Sequence, residues 1–211
     1  MWPGFTNVPN EFLEAYFPLR IRTYATIPDS GGAGLHRGGN GITIAYEMLE
    51  AGEISIHDDR WLTSTWGVNG GAPCMRSTKR LVRTDGTEEN IPSKCDRIAV
   101  KPGDILHFNT WGGGGWGDPC KRDAELVLAD VARGLVTAEG AKRYGVVISR
   151  GKVDAAATEK LRADMSRRRA DAKLFDRGFE SLEELKRRCK AETGFEAPKD
   201  PEFFTFMQAA E

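Results

Sequence analysis

Leu19-Arg20-Ile21-Arg22-Thr23-Tyr24-Ala25-Thr26-Ile27 alternates along its length. Leu19, Ile21, Thr23, Ala25 and Ile27 fall on one face, and Arg20, Arg22, Tyr24 and Thr26 on the other. A period of two puts successive side chains on opposite sides of an extended chain, so the stretch predicts a half-buried strand. Segments of the same kind follow: Ile42–Leu49, Glu53–His57, Lys79–Arg83, Thr87–Ile91, Asp96–Val100 and Ile105–Thr110. Asp85-Gly86 and Lys101-Pro102-Gly103-Asp104 between them read as tight turns. Short strands at regular spacing predict an antiparallel sandwich or a barrel-like sheet.

The character of the chain changes near residue 118. Beyond it Ala, Leu, Glu, Lys and Arg dominate, and Leu126, Val127, Val131 and Leu135 form one helical stripe behind Pro119 and Asp123. Thr137-Ala138-Glu139-Gly140 reads as the start of a second short helix, Val146–Ser149 as a short strand, and Asp154 as the cap of a helix reaching about Ala172. Ser181-Leu182-Glu183-Glu184 has the form of a capping box. Phe203, Phe204, Phe206 and Met207 in the tail are aromatic and apolar enough to dock on this chain or on a partner. The expected class is therefore α+β: a β-rich domain over 1–118 and a mainly helical extension over 119–211.

Composition bounds the function. The 211 residues are 40% hydrophobic and 29% charged, which describes a globular chain, and the formal net charge of -1 gives no general attraction to nucleic acid or to acidic membrane. No apolar run reaches the ~18 residues of a membrane span, and no signal peptide is visible at Met1-Trp2-Pro3-Gly4-Phe5, so a cytoplasmic location is expected. Cys74, Cys95, Cys120 and Cys189 make no C-x-x-C pair, which argues against a zinc ribbon. Free thiols in a reducing compartment are expected, with two disulfides as the alternative for an exported chain. Arg167-Arg168-Arg169 sits among acids on a predicted helix and reads as a solvated face.

The 24 glycines are clustered. Six of them fall within residues 31–41, in Pro28-Asp29-Ser30-Gly31-Gly32-Ala33-Gly34-Leu35-His36-Arg37-Gly38-Gly39-Asn40-Gly41. Four more are consecutive in Thr110-Trp111-Gly112-Gly113-Gly114-Gly115-Trp116-Gly117-Asp118-Pro119. Ordering such runs is entropically costly, so they mark either turns with left-handed residues or places where backbone must approach closely. Two readings stand side by side for each. The first cluster is a wide turn, or a cradle of N–H groups for an anion with Asp29 and Arg37 as its charges. The second is a packed strand-to-helix junction, or a loop clamped by Trp111 and Trp116 against a ligand or partner. Ser30, Gly31, Gly32, Gly34, Gly38, Gly39 and Gly112, Gly113, Gly114, Gly115 are the ligand-loop candidates, and Asp29, Arg37 and Asp118 the catalytic candidates. Replacing Gly113 with Val is expected to destabilise the fold or the assembly, through lost positive φ or a clash. No nucleotide-binding glycine motif is complete. His57-Asp58-Asp59-Arg60 is a weak metal or acid–base candidate through His57 and Asp58, or simply a polar strand end with a paired Arg60. His36 and His107 stand alone.

Taken together the clusters resemble the hydantoinase B/oxoprolinase family. Pro28 to Gly41 is similar to its P-D-S-G-G-A-G-x-x-R-G-G-x-G segment, and Lys101-Pro102-Gly103-Asp104 and Gly112 to Pro119 are similar to its K-P-G-D and G-G-G-G-[YW]-G-D-P segments. Asn69-Gly70-Gly71, Pro92-Ser93-Lys94 and Thr6-Asn7-Val8-Pro9 with Glu11 fall at further landmarks, all in the family's order, from about residue 5 to 149. The resemblance implies a subunit of an ATP-dependent enzyme that opens cyclic amides such as 5-oxoproline or hydantoins. A ketone carboxylase acting on acetone or acetophenone is the alternative within the family, and a non-catalytic assembly module the alternative outside catalysis. It implies a hydantoinase A-type ATPase subunit as partner, with an actin-like fold that phosphorylates the substrate. Family B-type subunits are much longer, and their acidic, histidine-containing N-terminal part has no counterpart here. The resemblance therefore implies a second partner chain carrying that part, with ATP-Mg and the divalent metal on partner subunits, no cofactor held by this chain alone, and little activity from it alone.

Overall fold

The computed structural model describes residues 6–168 and 173–199. In chain order these form α1 (Asn10–Tyr16), β1 (Leu19–Thr26), β2 (Ile42–Met48), β3 (Gly52–His57), β4 (Gly67–Val68), β5 (Thr78–Val82), β6 (Glu88–Asn90), β7 (Lys94–Val100) and β8 (Ile105–Asn109). Then come α2 (Ala124–Ala132), β9 (Ile148–Ser149), β10 (Lys152–Val153), α3 (Ala155–Arg168), β11 (Phe175–Asp176) and α4 (Leu182–Thr193). Short 3-10 turns occupy Pro119–Lys121 and Gly140–Tyr144. The α+β class and the antiparallel strands agree with the sequence reading, while α1, β4 and β11 were not legible in it.

Five strands form one antiparallel sheet in the order β1-β2-β8-β5-β6. Cross-strand register places Tyr46, Leu106 and Leu81 in one row, and Ile44, Phe108 and Lys79 in the next row of the same face. That face shares a core with the separate β3–β7 pair: Met48, Ile56, Leu81, Ile91, Val100 and Leu106 are buried together. The result is two packed layers rather than a closed barrel.

The strand that opened the reading departs from its own alternation. The register slips between Ile21 and Thr23, so Arg22 is an extra residue and the phase inverts. Thr23 and Ala25, expected on the covered face, are exposed, as β1 is the sheet's edge. Part of that edge is capped by α1, whose Glu14 Oε1 accepts from the Ile21 amide at 2.7 Å.

The turns follow their sequence chemistry. Gly86 takes φ 83° between β5 and β6, with the Thr87 amide donating to Asp85 Oδ1 at 2.8 Å. Gly103 takes φ 87° in the turn before β8, where Asp104 is 1% exposed. Its carboxylate accepts from the Lys101 amide at 3.0 Å, from Arg83 Nη1 at 3.0 Å and from the Thr84 amide at 3.2 Å. Burial pushes this carboxyl up, yet the amides of Lys101 and Thr84 and the Arg83 guanidinium outweigh it and hold the pKa below the usual value. The K-P-G-D segment is thus a self-closing turn.

A second core lies on the helical side, where Val127, Val136, Ala141, Tyr144 and Val146 bury Ala33 of the first glycine loop. Asp123 Oδ1 caps α2 through the Glu125 amide at 2.9 Å, and Asp154 Oδ1 accepts from the Ala157 amide at 3.0 Å. Residues up to Gly178 make one compact unit, and the change of composition at 118/119 falls inside it. A second unit begins at Phe179. It contains α4, capped by Ser181 Oγ on the Glu184 amide at 3.1 Å and ended by Gly194 at φ 78°. Phe203, Phe204, Phe206 and Met207 lie outside the described residues, as does the expected end of the helix near Ala172. All four cysteines are free thiols. Among the described residues no helix is long and apolar enough to cross a membrane.

Candidate functional site

The two glycine clusters meet, and a third loop, residues 65–75, threads between them. The Gly32 amide donates to Gly113 O at 2.9 Å, Gly113 N to Gly39 O at 2.8 Å, and Gly38 N to Gly32 O at 3.0 Å. Gly115 N reaches Ala72 O at 2.9 Å, Ala72 N reaches Ala33 O at 2.7 Å, and Val68 N reaches Gly115 O at 2.9 Å. Gly112 N and Met75 N extend the same ladder to Met75 O and Ser30 O at 3.3 and 2.8 Å. Three loops are thereby laced backbone to backbone between the two cores.

This lacing explains the composition. A methyl group added at Gly38 would lie 1.9 Å from Gly113 O, at Gly114 1.8 Å from Trp66 O, at Gly115 2.1 Å from Ala33 O, and at Gly112 2.3 Å from Ser30 O. Gly31, Gly32 and Gly34 are equally tight, at 2.3 Å from Gly38 O, 2.1 Å from Ala72 O and 2.6 Å from Trp116 N. None of these glycines has positive φ; in the clusters only Gly117 does, at 75°. The glycines serve close approach of backbone, one of the two expected reasons, and not left-handed geometry. Gly113 is looser, with Gly39 N 3.1 Å from the added atom, and since its φ is not positive that ground for a destabilising Gly113→Val falls away. Gly39 has nothing within 4 Å. The N–H groups of Gly32, Gly38, Gly41, Gly112, Gly113 and Gly115 are all donated within the chain, so they do not form an open cradle for an anion.

The charged and hydroxyl candidates sit at the margins of this knot and at separate places. Ser30, 1% exposed, clasps the base of the first loop: its Oγ donates to Ile27 O at 2.6 Å and accepts from the Gly41 amide at 2.8 Å. Asp29 adopts φ 63° and caps the turn beyond α2, accepting from the Thr137 amide at 3.1 Å, Thr137 Oγ1 at 2.6 Å and Arg143 Nη2 at 3.2 Å. Arg37 turns inward, donating to Gly38 O at 2.7 Å and Asn40 Oδ1 at 3.0 Å, with its Nε 3.4 Å from Asp130 Oδ2. Asp118 Oδ1 accepts from the Cys120 amide at 2.9 Å and caps the turn at Pro119–Lys121. Asp29, Arg37 and Asp118 do not converge on one point; each pins a different segment to the knot.

What the knot presents outward is aromatic. Phe175 pairs with Val68, Val68 with Trp116, and Trp116 with His36, so these four side chains share one face of a miniature sheet. The His36 and Trp116 rings lie 5.4 Å apart, Trp66 meets Phe175 edge-on at 6.0 Å, and the Arg177 guanidinium stands 5.5 Å over Trp66. Trp66, Trp116 and Phe175 are 44%, 45% and 50% exposed. In the sequence His36 stands alone and nothing marks Phe175, because the pairing that aligns them is not local.

His57 and Asp58 leave their strand in opposite directions. His57 Nε2 lies 3.2 Å from Asp96 Oδ1 in solvent, whereas Asp58 is buried in an ion pair with Lys79. The Lys79 ammonium also donates to Ser77 Oγ at 3.0 Å and Ser93 Oγ at 2.8 Å, and lies 5.0 Å from the Phe108 ring. Burial pushes it down to about 8, so it stays an ammonium at neutral pH. Among the described residues no three or more His, Cys, Asp or Glu side chains converge as metal ligands. A divalent metal does not fit the His57–Asp58 pair.

Comparison with known proteins places this architecture. The profile of the Hydantoinase B/oxoprolinase family matches residues 1–119. Caprolactamase subunit beta of Pseudomonas jessenii is 38% identical over 162 residues, covering 72% of this chain and 27% of the relative. The crystal structure of ATP-dependent caprolactamase from the same organism superposes with a TM-score of 0.65 at 35% identity, over 74% of this chain and 28% of that one. A nucleotide-free acetone carboxylase superposes with a TM-score of 0.64 at 22% identity, over 80% and 27%, and shows the fold. The chain spans little more than a quarter of the length of these relatives. With its landmark glycines explained by the knot they build, this chain belongs to the Hydantoinase B/oxoprolinase family.

Proposed function

We propose that this chain is a C-terminal-type portion of a hydantoinase B-type subunit in an ATP-dependent cyclic amidohydrolase of the hydantoinase, 5-oxoprolinase or caprolactamase kind. It contributes a rigid framework and an aromatic surface to a site shared with other chains. The observation that carries this reading is the knot itself: its amides are spent internally, its charged residues brace segments, and its outward face is the row Phe175, Val68, Trp116 and His36. Such a site shapes and shields a reaction more readily than it performs one alone. In this reading a hydantoinase A-type subunit activates the amide oxygen with ATP-Mg, a further chain supplies the rest of the B-type subunit with its divalent metal, and the complex works in the cytoplasm. Phosphorylating an amide oxygen makes the carbon electrophilic, which couples ATP to ring opening.

The test is reconstitution. The purified chain alone is expected to show no lactam-dependent ATP hydrolysis, and to be required for it once the A-type and remaining B-type chains are added. Robust turnover by this chain alone, or full turnover without it, overturns the reading. Likeness in fold to an acetone carboxylase favours one alternative, a ketone carboxylase subunit. ATP use that depends on bicarbonate and a ketone would decide for it. Assembly that needs the chain while Trp116→Ala, Asp29→Asn and Arg37→Gln leave turnover untouched would favour a non-catalytic module.

A further inference from the structure

The two layers of the β-rich half are unequal. One has five strands and the other only β3 and β7. That pair closes over Met48, Leu81 and Leu106. Further along the same apolar face, Tyr46 and Phe108 border a groove of about 420 Å³. Leu13 and Phe17 flank it on one side, and β3 walls it from Ile54 to His57 on the other. The helix α1 does not close it: it has seven residues, and none of them is buried. Phe12, Tyr16 and Phe17 stand more than half exposed.

The wall of the groove is also a sheet edge. Among the described residues β3 pairs with β7 and with no other strand. An edge strand presents unpaired amide and carbonyl groups to whatever lies beside it. Successive side chains of a strand point to opposite faces, so four residues in a row border one groove only through the strand's edge. A strand laid there gains main-chain hydrogen bonds from β3 and sets alternate side chains on Tyr46 and Phe108. A helix fills the groove but leaves the edge unpaired. A second copy of this chain fits poorly. Pairing β3 with β3 fills neither groove, because Ile54 and Ile56 are already turned into their own core. The outer strands β1 and β6 carry Arg20, Arg22, Glu88 and Glu89. The relatives that superpose on this chain are more than three times its matched length, so most of a B-type subunit lies outside it.

We infer that the free edge of β3 and the groove beside it receive an extended, alternately apolar segment from the part of the B-type subunit that this chain does not span. The segment completes the smaller layer as a third strand, with Phe17 packed against its apolar side. The inference rests on the proposed B-type role and names the surface through which that partner docks.

The test is amide hydrogen exchange and sedimentation of the full chain, alone and with the remaining B-type chain from the same organism. In the complex the amides of Ile54–His57 are expected to exchange at least about tenfold more slowly than in the chain alone. Phe17→Asp puts a charge on an exposed ring position and should weaken binding about tenfold or more. Leu126→Asp, on exposed α2 and away from the groove, should leave the affinity within about twofold. A complex in which β3 exchanges as before, or one that Phe17→Asp forms as well as the parent does, overturns this surface and leaves the B-type reading standing. No complex at all overturns that reading and the inference with it. Slow exchange of β3 in a self-associated chain, with no other chain present, overturns the inference in favour of a second copy. Should Phe17→Asp fail to fold, exchange in the unaltered proteins decides.

Discussion

A methyl group on Gly38 would stand 1.9 Å from the carbonyl oxygen of Gly113, while the next residue, Gly39, has open space where its side chain would be. Neighbours in sequence thus differ entirely in tolerance. Gly38→Ala forces two backbones apart and is expected to cost about 1–3 kcal/mol or more, read as a lower urea midpoint. Gly39→Ala should stay within about 0.5 kcal/mol of the unaltered protein. Equal loss from both would show that chain entropy, and not close approach, governs the cluster.

Asp29 combines a left-handed backbone with a capping carboxylate. Asparagine tolerates that backbone and its one amide oxygen can still accept from the Thr137 amide, so Asp29→Asn should lose the ion pair with Arg143 and the hydrogen bond accepted from Thr137 Oγ1, about 1 kcal/mol together. Asp29→Ala strains φ and strips the cap, and about 1–3 kcal/mol is expected. Melting both variants beside the parent separates the effects; an alanine variant as stable as the asparagine one would refute the capping role.

Lys79 lies on the apolar face of the sheet only because Asp58, Ser77 and Ser93 satisfy it. Lys79→Met leaves Asp58 buried and unpaired, a loss of about 3–5 kcal/mol, and adding Asp58→Leu should recover most of it.

Asp104 should govern part of the acid limb. Its folded pKa lies below the ordinary 3.8, so its contribution is present above that value and is lost as pH falls through the folded one. The Tm gap between the parent and Asp104→Asn is expected to be wide at pH 6 and to close progressively below pH 4. A gap that does not depend on pH would assign the loss to hydrogen-bond geometry alone.

By itself the sequence determined the longer strands, the turns at Gly86 and Gly103, the caps at Asp154 and Ser181, and the family. Each depends on residues a few positions apart, or on a linear order of landmarks. The extra residue at Arg22 is invisible in the alternation of β1, because a bulge is decided by the partner strand. Lys79 is only a charge at the start of a predicted strand until Asp58 and Ser93, distant in sequence, meet it. Asp29 and Arg37 were legible as singular residues but not as braces, since Thr137, Arg143 and Asp130 come from the far half of the chain. Only the tertiary structure decided what the glycines are for. Composition could say that they permit unusual backbone, but whether they serve left-handed φ or the passage of one backbone against another depends on which carbonyl stands opposite. That is settled by three loops folding into the same space.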